Sequence, residues 1–312
     1  MAIAGAKLCL SSETRAYGCF EMYVATLLTD PKKSNLNNVL VDNLQHAWGG
    51  EKAFWLCPGV AAEFSLPIYP DNMWQAWRSL QDMSVDLIVQ PIQNRKKRLL
   101  LADMDSTMIE QECIDELAAA AGIGPKVAEI TARAMNGELD FEAALKERVG
   151  LLKGLETSVI DTVFQDRISL MPGGRSLVAT MKAAGAYAAL VSGGFTDFTS
   201  RVASELGFDE NRANVLLSEN GTLTGTVSEP ILGRDAKVSA LNDLCERLDL
   251  STEQVLAVGD GANDLGMLQL AGTGVALHAK PVVAEACDFR VNFGDLTALL
   301  YLQGYSKDEF VE

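Results

Sequence analysis

From Met22 to Ile92, short apolar runs with strand spacing alternate with stretches of helical spacing. MYVATLLT predicts a strand, and NLNNVLVDNLQHA predicts a helix behind Asn and Ser capping signals. KAFWLC and AAEFSLPI predict two strands joined around Pro58-Gly59. NMWQAWRSLQDM predicts a helix and VDLIVQPI a strand. The predicted order is βαββαβ, a ferredoxin-like plan. Trp74 and Trp77, three residues apart on the predicted helix, read as packing residues. The pattern breaks at QPIQNRKKR, residues 90–98, where a Pro and polar residues precede four consecutive basic ones. The expected domain boundary lies there, dividing the chain into 1–92 and 93–312.

Beyond the boundary, RLLLADMD, AYAALVSGG and QVLAVGDGAND are near-continuous apolar strands that run into loops, and GTGVAL and CDFRVN supply two shorter strands. Residues 109–167 have helical spacing almost throughout, broken at Gly122–Pro125 and at Asn136-Gly137. ANVLLSENGTLTGTV predicts a hairpin turning at Asn220-Gly221. Apolar strands separated by helices predict a parallel α/β sheet covered on both faces, with ligands at the carboxyl ends of its strands. Residues 1–20 fit no element, and their apolar patch is short for a signal peptide.

Composition narrows the function. The 312 residues are 48% hydrophobic and 22% charged, enough apolar content for a sizeable core. The net charge is -16; residues 1–94 carry 6 basic and 9 acidic side chains, and the rest carry 20 and 33. This balance argues against nucleic acid or an anionic membrane as partner. A phosphate-bearing ligand would need a cation or a few placed Lys and Arg. No apolar run approaches the ~20 residues of a membrane span. The six Cys (9, 19, 57, 113, 245 and 287) are scattered without a CxxC pair, which predicts free thiols in a reducing cytoplasm. Two His leave little room for a His-rich metal site.

The chemistry gathers where the strands end. The first predicted core strand ends in Asp103 and Asp105, the second in Ser192-Gly193-Gly194, and the third in Asp260-Gly261 followed by Asn263-Asp264. Lys237 stands alone at the predicted start of a helix. Two acids separated by a single residue repel, and burying either costs free energy, so something must compensate them. Carboxylate oxygens of this kind suit Mg²⁺. Acids two residues apart on one strand face also suit a reaction needing both a nucleophile and a proton carrier.

DMDST, VSGG, the isolated Lys237 and GDGAND resemble the four motifs of the haloacid dehalogenase superfamily of phosphotransferases. The similarity runs from about Leu99 to Asp295 and is narrowest with its phosphoserine phosphatase family. GELDFEAALKERVGLLKG is similar to that family's helical cap, and no family active-site position departs from the pattern. The resemblance implies a Rossmann-like core with a cap at about 109–167. It implies Mg²⁺-dependent hydrolysis of O-phospho-L-serine through a phosphoaspartyl intermediate, the last step of serine biosynthesis. It makes Asp103 the nucleophile and a metal ligand. Asp105 becomes general acid and base, lending its backbone carbonyl to the metal. Ser192, the Gly193 amide and Lys237 would hold the phosphoryl oxygens, with Asn263 near the phosphate. Asp260 would be a metal ligand, and Asp264 would support the metal waters and Lys237. Glu112 and Arg148 would hold the substrate's ammonium and carboxylate.

The amino-terminal plan is similar in topology alone to ACT regulatory modules, which leaves effector binding, or a homodimer through this unit, as expectations. Competing readings are a phosphatase of another small phosphomonoester such as phosphohomoserine, a sugar phosphomutase, and a non-catalytic sensor.

Overall fold

The computed structural model describes residues 22–135 and 138–312. The expectations for residues 1–20 and for a break at Asn136-Gly137 lie outside them. The first unit comprises β1 (Tyr23–Leu28), α1 (Asn38–Ala47), β2 (Phe54–Cys57), β3 (Ala61–Leu66), α2 (Met73–Gln81) and β4 (Asp86–Pro91). The strands form an antiparallel sheet ordered β2-β3-β1-β4. The capping signal before α1 is Asn37, whose side chain accepts from the Leu40 amide. Trp74 and Trp77 meet edge to face and cover the Arg290 guanidinium, which lies 4.2 and 5.2 Å from the two rings.

The chain then enters β5 (Leu99–Ala102), α3 (Cys113–Ala120), α4 (Gly124–Met135), α5 (Phe141–Gly150), α6 (Ser158–Arg167), α7 (Gly174–Ala183) and β6 (Tyr187–Phe195). It continues through α8 (Thr196–Leu206), β7 (Glu210–Asn214), β8 (Leu216–Glu219), β9 (Thr222–Val227) and α9 (Arg234–Leu248). The last elements are β10 (Val255–Gly259), α10 (Leu265–Leu270), β11 (Thr273–Leu277), α11 (Pro281–Glu285), β12 (Phe289–Val291) and α12 (Ala298–Leu302). Six parallel strands are ordered β12-β11-β10-β5-β6-β7. Both faces are buried: Leu99 and Leu101 of β5 pack into one apolar cluster, and Leu100 and Ala102 into another. Strand order reverses between β5 and β10, and such a switch point opens a crevice at the strands' carboxyl ends. Among the described residues, no helix is long and apolar enough to cross a membrane.

Three local expectations change in the folded chain. Residues 109–112 are not helical; Ile109 bridges Leu170, and the Glu110 amide donates to Ser169, so the two strands crossing from core to helical insertion pair with each other. A further, unexpected break separates α5 from α6, because residues 154–157 pair with the β8–β9 hairpin instead: Gly154 N donates to Leu223 O at 2.8 Å, and Leu223 N to Leu155 O at 2.8 Å. Strand β7, with the polar sequence ENRAN, lacks the apolar run by which the other strands are legible. The predicted hairpin turns at Asn220 and Gly221, both with positive φ, as a two-residue hairpin turn of this type requires.

The two sheets share core. Leu28, Leu56 and Ile88 of the first unit belong to the same apolar cluster as Leu299 and Tyr301. The basic run is not a loose linker. Arg95 pairs with Glu63 at 2.5 Å and donates to Leu302 O, while the Lys97 ammonium donates to Glu253 O. Asp86, fully buried, accepts from the amides of Asn292, Phe293 and Gly294 at 2.9–3.0 Å. Burial outweighs these bonds and raises its pKa. Asp86→Ala strands three amide donors at the junction, each lost partner costing ~1–3 kcal/mol, so a stability loss of about 3 kcal/mol or more is expected. Urea unfolding of the full chain measures this; an unchanged midpoint would mean that water replaces the carboxylate without cost.

Candidate active site

The site is built where β5, β6 and β10 end side by side. Asp103 follows β5 directly, its amide donating to Val258 O at 3.0 Å, so its carboxylate is delivered from the core with 4% of its surface exposed. Asp105 lies two residues further, on a loop that turns back through Ser106 at φ 55°. Its Oδ1 accepts from the Cys113 amide at 2.8 Å and its Oδ2 from the Ser192 hydroxyl at 3.1 Å. Ser192 Oγ in turn accepts from the Gly194 amide. A Cβ on Gly194 would lie 2.7 Å from Asp105 Oδ2, so only glycine lets this strand end approach the acid. The SGG segment belongs to β6 itself, which runs on to Phe195 rather than opening into a loop at Ser192.

From the other side, Asp260 follows β10 and Asp264 caps the turn before α10. Asp264 Oδ2 accepts from the Gly261 amide at 2.9 Å. A Cβ on Gly259 would fall 2.4 Å from the Asp264 carboxyl carbon. Lys237, in the first turn of α9, is 2% exposed and lies between Asp103 Oδ1 at 2.6 Å and Asp264 Oδ1 at 2.5 Å. Lys237 and Asp264 therefore sit behind the cavity wall, unlike Asp103 and Asp260, which line it. Burial works against the Lys237 ammonium, but Asp103 and Asp264 outweigh it and hold the group above the usual lysine range.

One ammonium does not balance these acids. Asp103, Asp260 and Asp264 can each bring one oxygen within 4.8 Å of the other two. Burial, then Asp264, raises the Asp103 carboxyl well above its ordinary range despite Lys237. Burial and Asp264 push Asp260 up to about 6. Excess buried negative charge on hard oxygen donors is what a divalent cation relieves, so the residues fit a metal of the Mg²⁺ or Ca²⁺ type.

Above this floor is a cavity of about 240 Å³, lined on the core side by Asp103, Asp105, Ser192, Gly193, Asp260 and Asn263. The helical insertion closes it with Glu112, Asp115, Phe141, Leu145 and Arg148. Glu112, at the start of α3, accepts from Ser106 Oγ at 2.8 Å. Burial, then Asp105, pushes its carboxyl up to about 7. Arg148, in the last turn of α5, donates from Nε to Ala144 O. Among the described residues, no carboxylate lies within 4 Å of its guanidinium. Burial lowers the Arg148 pKa, with Asp115 and Glu112 opposing.

The fold thus brings all ten sequence-predicted residues to one place, eight on the cavity wall and two behind it. It adds residues that sequence reading missed. Lys280 lines the cavity from the loop after β11. Asp115 stands one turn from Glu112, a spacing that would have flagged it. Asn214, 2% exposed, donates to Gly193 O and Leu232 O and accepts from the Leu232 amide, so it fixes the peptide beside Ser192. Nothing local in ENRAN signals that role.

Residues 100–269 match the family described as haloacid dehalogenase-like hydrolase. The chain is 43% identical to a phosphoserine phosphatase of Archaeoglobus fulgidus over 224 residues, 71% of this chain and 65% of the relative. It spans just under two thirds of that relative. It is 45% identical to a phosphoserine phosphatase of Albidiferax ferrireducens over 225 residues, 69% of this chain and 95% of the relative. A crystal structure of a haloacid dehalogenase family hydrolase from Salmonella enterica superposes with a TM-score of 0.82 at 31% identity, covering 92% of this chain and 99% of that one.

Proposed function

Because this chain belongs to the haloacid dehalogenase-like hydrolases, we propose that it hydrolyses O-phospho-L-serine to L-serine and phosphate, the last step of serine biosynthesis. The observation that carries the substrate is the Arg148 guanidinium, with no carboxylate within 4 Å among the described residues, in a cavity that also presents Glu112 and Asp115. A cation and acids lining the cap side match the carboxylate and ammonium of an amino acid, while Asp103 and Asp105 on the core side meet its phosphate. Relatives carrying the phosphoserine phosphatase name support the same reading.

In this reading Asp103 attacks phosphorus, the serine oxygen leaves, and a phosphoaspartyl enzyme forms. Asp105, held by Ser192 and the Cys113 amide, gives the leaving oxygen its proton and then takes one from the water that cleaves the acyl phosphate. Ser192, the Gly193 amide and Asn263 hold phosphoryl oxygens. Lys237 stays beneath Asp103, where its ammonium favours the ionised nucleophile and orients it. Asp103, Asp260 and the Asp105 carbonyl, supported by Asp264, would hold a Mg²⁺ ion, which would supply positive charge to offset repulsion between carboxylate and phosphate dianion.

The antiparallel βαββαβ unit is assigned as a ferredoxin-like, ACT-like domain of residues 1–92, with the phosphatase domain spanning 93–312 and its cap about 109–167. Its edge strand β2 exposes Phe54 at 61%, and this supports a homodimer through the unit. Free Cys57, Cys113, Cys245 and Cys287 support a cytoplasmic setting.

Phosphate release from phosphoserine, phosphohomoserine and a sugar phosphate, with and without Mg²⁺, tests the assignment. Phosphoserine is expected to have the highest kcat/KM, and a chelator to stop the reaction. A preference for phosphohomoserine would move the substrate. Transfer of phosphate to a sugar would indicate a mutase, and inert phosphoserine a sensor.

A further inference from the structure

The cavity wall carries five carboxylates, Asp103, Asp105, Glu112, Asp115 and Asp260, and two cations, Arg148 and Lys280. A dianionic ester must approach this wall on a chain of net charge -16. Arg148 belongs to the cap, while Lys280 belongs to the core. The Lys280 amide donates to Asp260 O, and its loop is tied to β12 through His278 N to Val291 O and His278 Nε2 to Gly294 O. Pro281 follows, and Lys280 has the extended backbone expected before proline, with φ -58° and ψ 146°. The backbone is thus set while the side chain is exposed at the cavity. Its charge is felt at Glu112, Asp115 and Asp260. Even so, among the described residues no carboxylate lies within 4 Å of its ammonium.

We propose that Lys280 is a phosphate-recruiting residue, which captures the phosphate end of the incoming monoester at the cavity mouth whatever its leaving group. A cation at a rim changes association and salt dependence more than the chemical step. An ammonium held close to several acids yet paired with none is free to meet an anion. The inference rests on the phosphomonoester reading but not on serine as the leaving group.

The test measures kcat/KM for phosphoserine and for 4-nitrophenyl phosphate at saturating Mg²⁺, at roughly 0.03 and 0.5 M ionic strength. Full-length wild type, Lys280→Ala, Lys280→Glu and Lys280→Arg are compared, and the Mg²⁺ activation constant is measured for each. Lys280→Ala is expected to lower kcat/KM about tenfold at low salt, through KM, by the same factor on both esters. The gap narrows at high salt, Lys280→Glu loses more, and Lys280→Arg restores most of the loss. Unchanged kcat/KM, a loss equal at both salts, a loss confined to kcat, or a shifted Mg²⁺ constant in its place would overturn the proposal. If wild type cleaves the aryl ester but not phosphoserine, the serine reading fails and the aryl measurements still decide the role of Lys280. Cleavage of neither overturns both.

Discussion

Asp103→Asn is expected to lower turnover by on the order of 10⁴-fold or more, down to background, on every phosphate ester. The amide is a poor nucleophile, so the covalent step has no substitute on the β5 end. The substitution also removes one of the three carboxylates that crowd Lys237 and the candidate metal position. Because the buried acids repel, folding is not expected to suffer, and thermal unfolding measured beside activity is expected to show a folded variant whose activity has vanished. The sharper readout is covalent. Wild type quenched in acid during turnover is expected to carry acid-stable, hydroxylamine-labile phosphate on Asp103, and Asp103→Asn to carry none. Asp105→Asn separates the two roles. It keeps a full nucleophile but lacks the proton carrier, so it is expected to fail with phosphoserine, whose alkoxide needs a proton. It still accepts phosphate slowly from an aryl ester with a good leaving group. Normal turnover by Asp103→Asn would remove the carboxylate mechanism altogether.

Arg148→Ala carries the second largest effect, and it is selective. If the guanidinium clamps the serine carboxylate under the closed cap, its removal leaves that carboxylate desolvated and unpaired. Losing one partner of such a pair costs ~2–5 kcal/mol, roughly 30- to 4,000-fold in kcat/KM. An aryl phosphate has no carboxylate to lose, so its hydrolysis changes far less. Glu112→Gln is expected to penalise phosphoserine preferentially in the same way, since it removes a partner of the ammonium. General damage to folding or metal binding would depress both substrates together and cancels in the ratio. Equal losses on the two esters would show that the cap does not read an amino acid, leaving an unspecified phosphomonoesterase.

The two sets of variants probe opposite walls of one cavity, which explains why their legibility in the sequence differs. Asp103, Asp105, Ser192, Asp260 and Asp264 were visible because each lies at or just beyond the apolar run of a buried parallel strand, and such strands read as unbroken apolar runs. Polar cargo at the end of an apolar run has no packing reason to be there. The hairpin was visible because Asn220-Gly221 tolerates positive φ. Arg148 is different. On α5 it looks like any surface charge beside Glu147, and only family resemblance singled it out.

Local sequence therefore determined most of the strands and helices, the βαββαβ order of the first unit, and the pair of acids at the end of β5, since backbone propensity, periodicity and strand-end chemistry act over neighbouring residues. Tertiary structure alone decided the rest. Residues 109–112 and 154–157 leave helical geometry because distant backbone partners at Ser169 and Leu223 take their hydrogen bonds. The basic run 95–98 becomes an anchored connector because Glu63, Glu253 and Leu302 lie within its reach. Lys237 is buried between two acids rather than displayed on the cavity wall, and Asp115 and Lys280 join that wall from segments far apart in the chain. These outcomes depend on which side chains share a low-dielectric space, a property of the packed chain that no stretch of neighbouring residues contains.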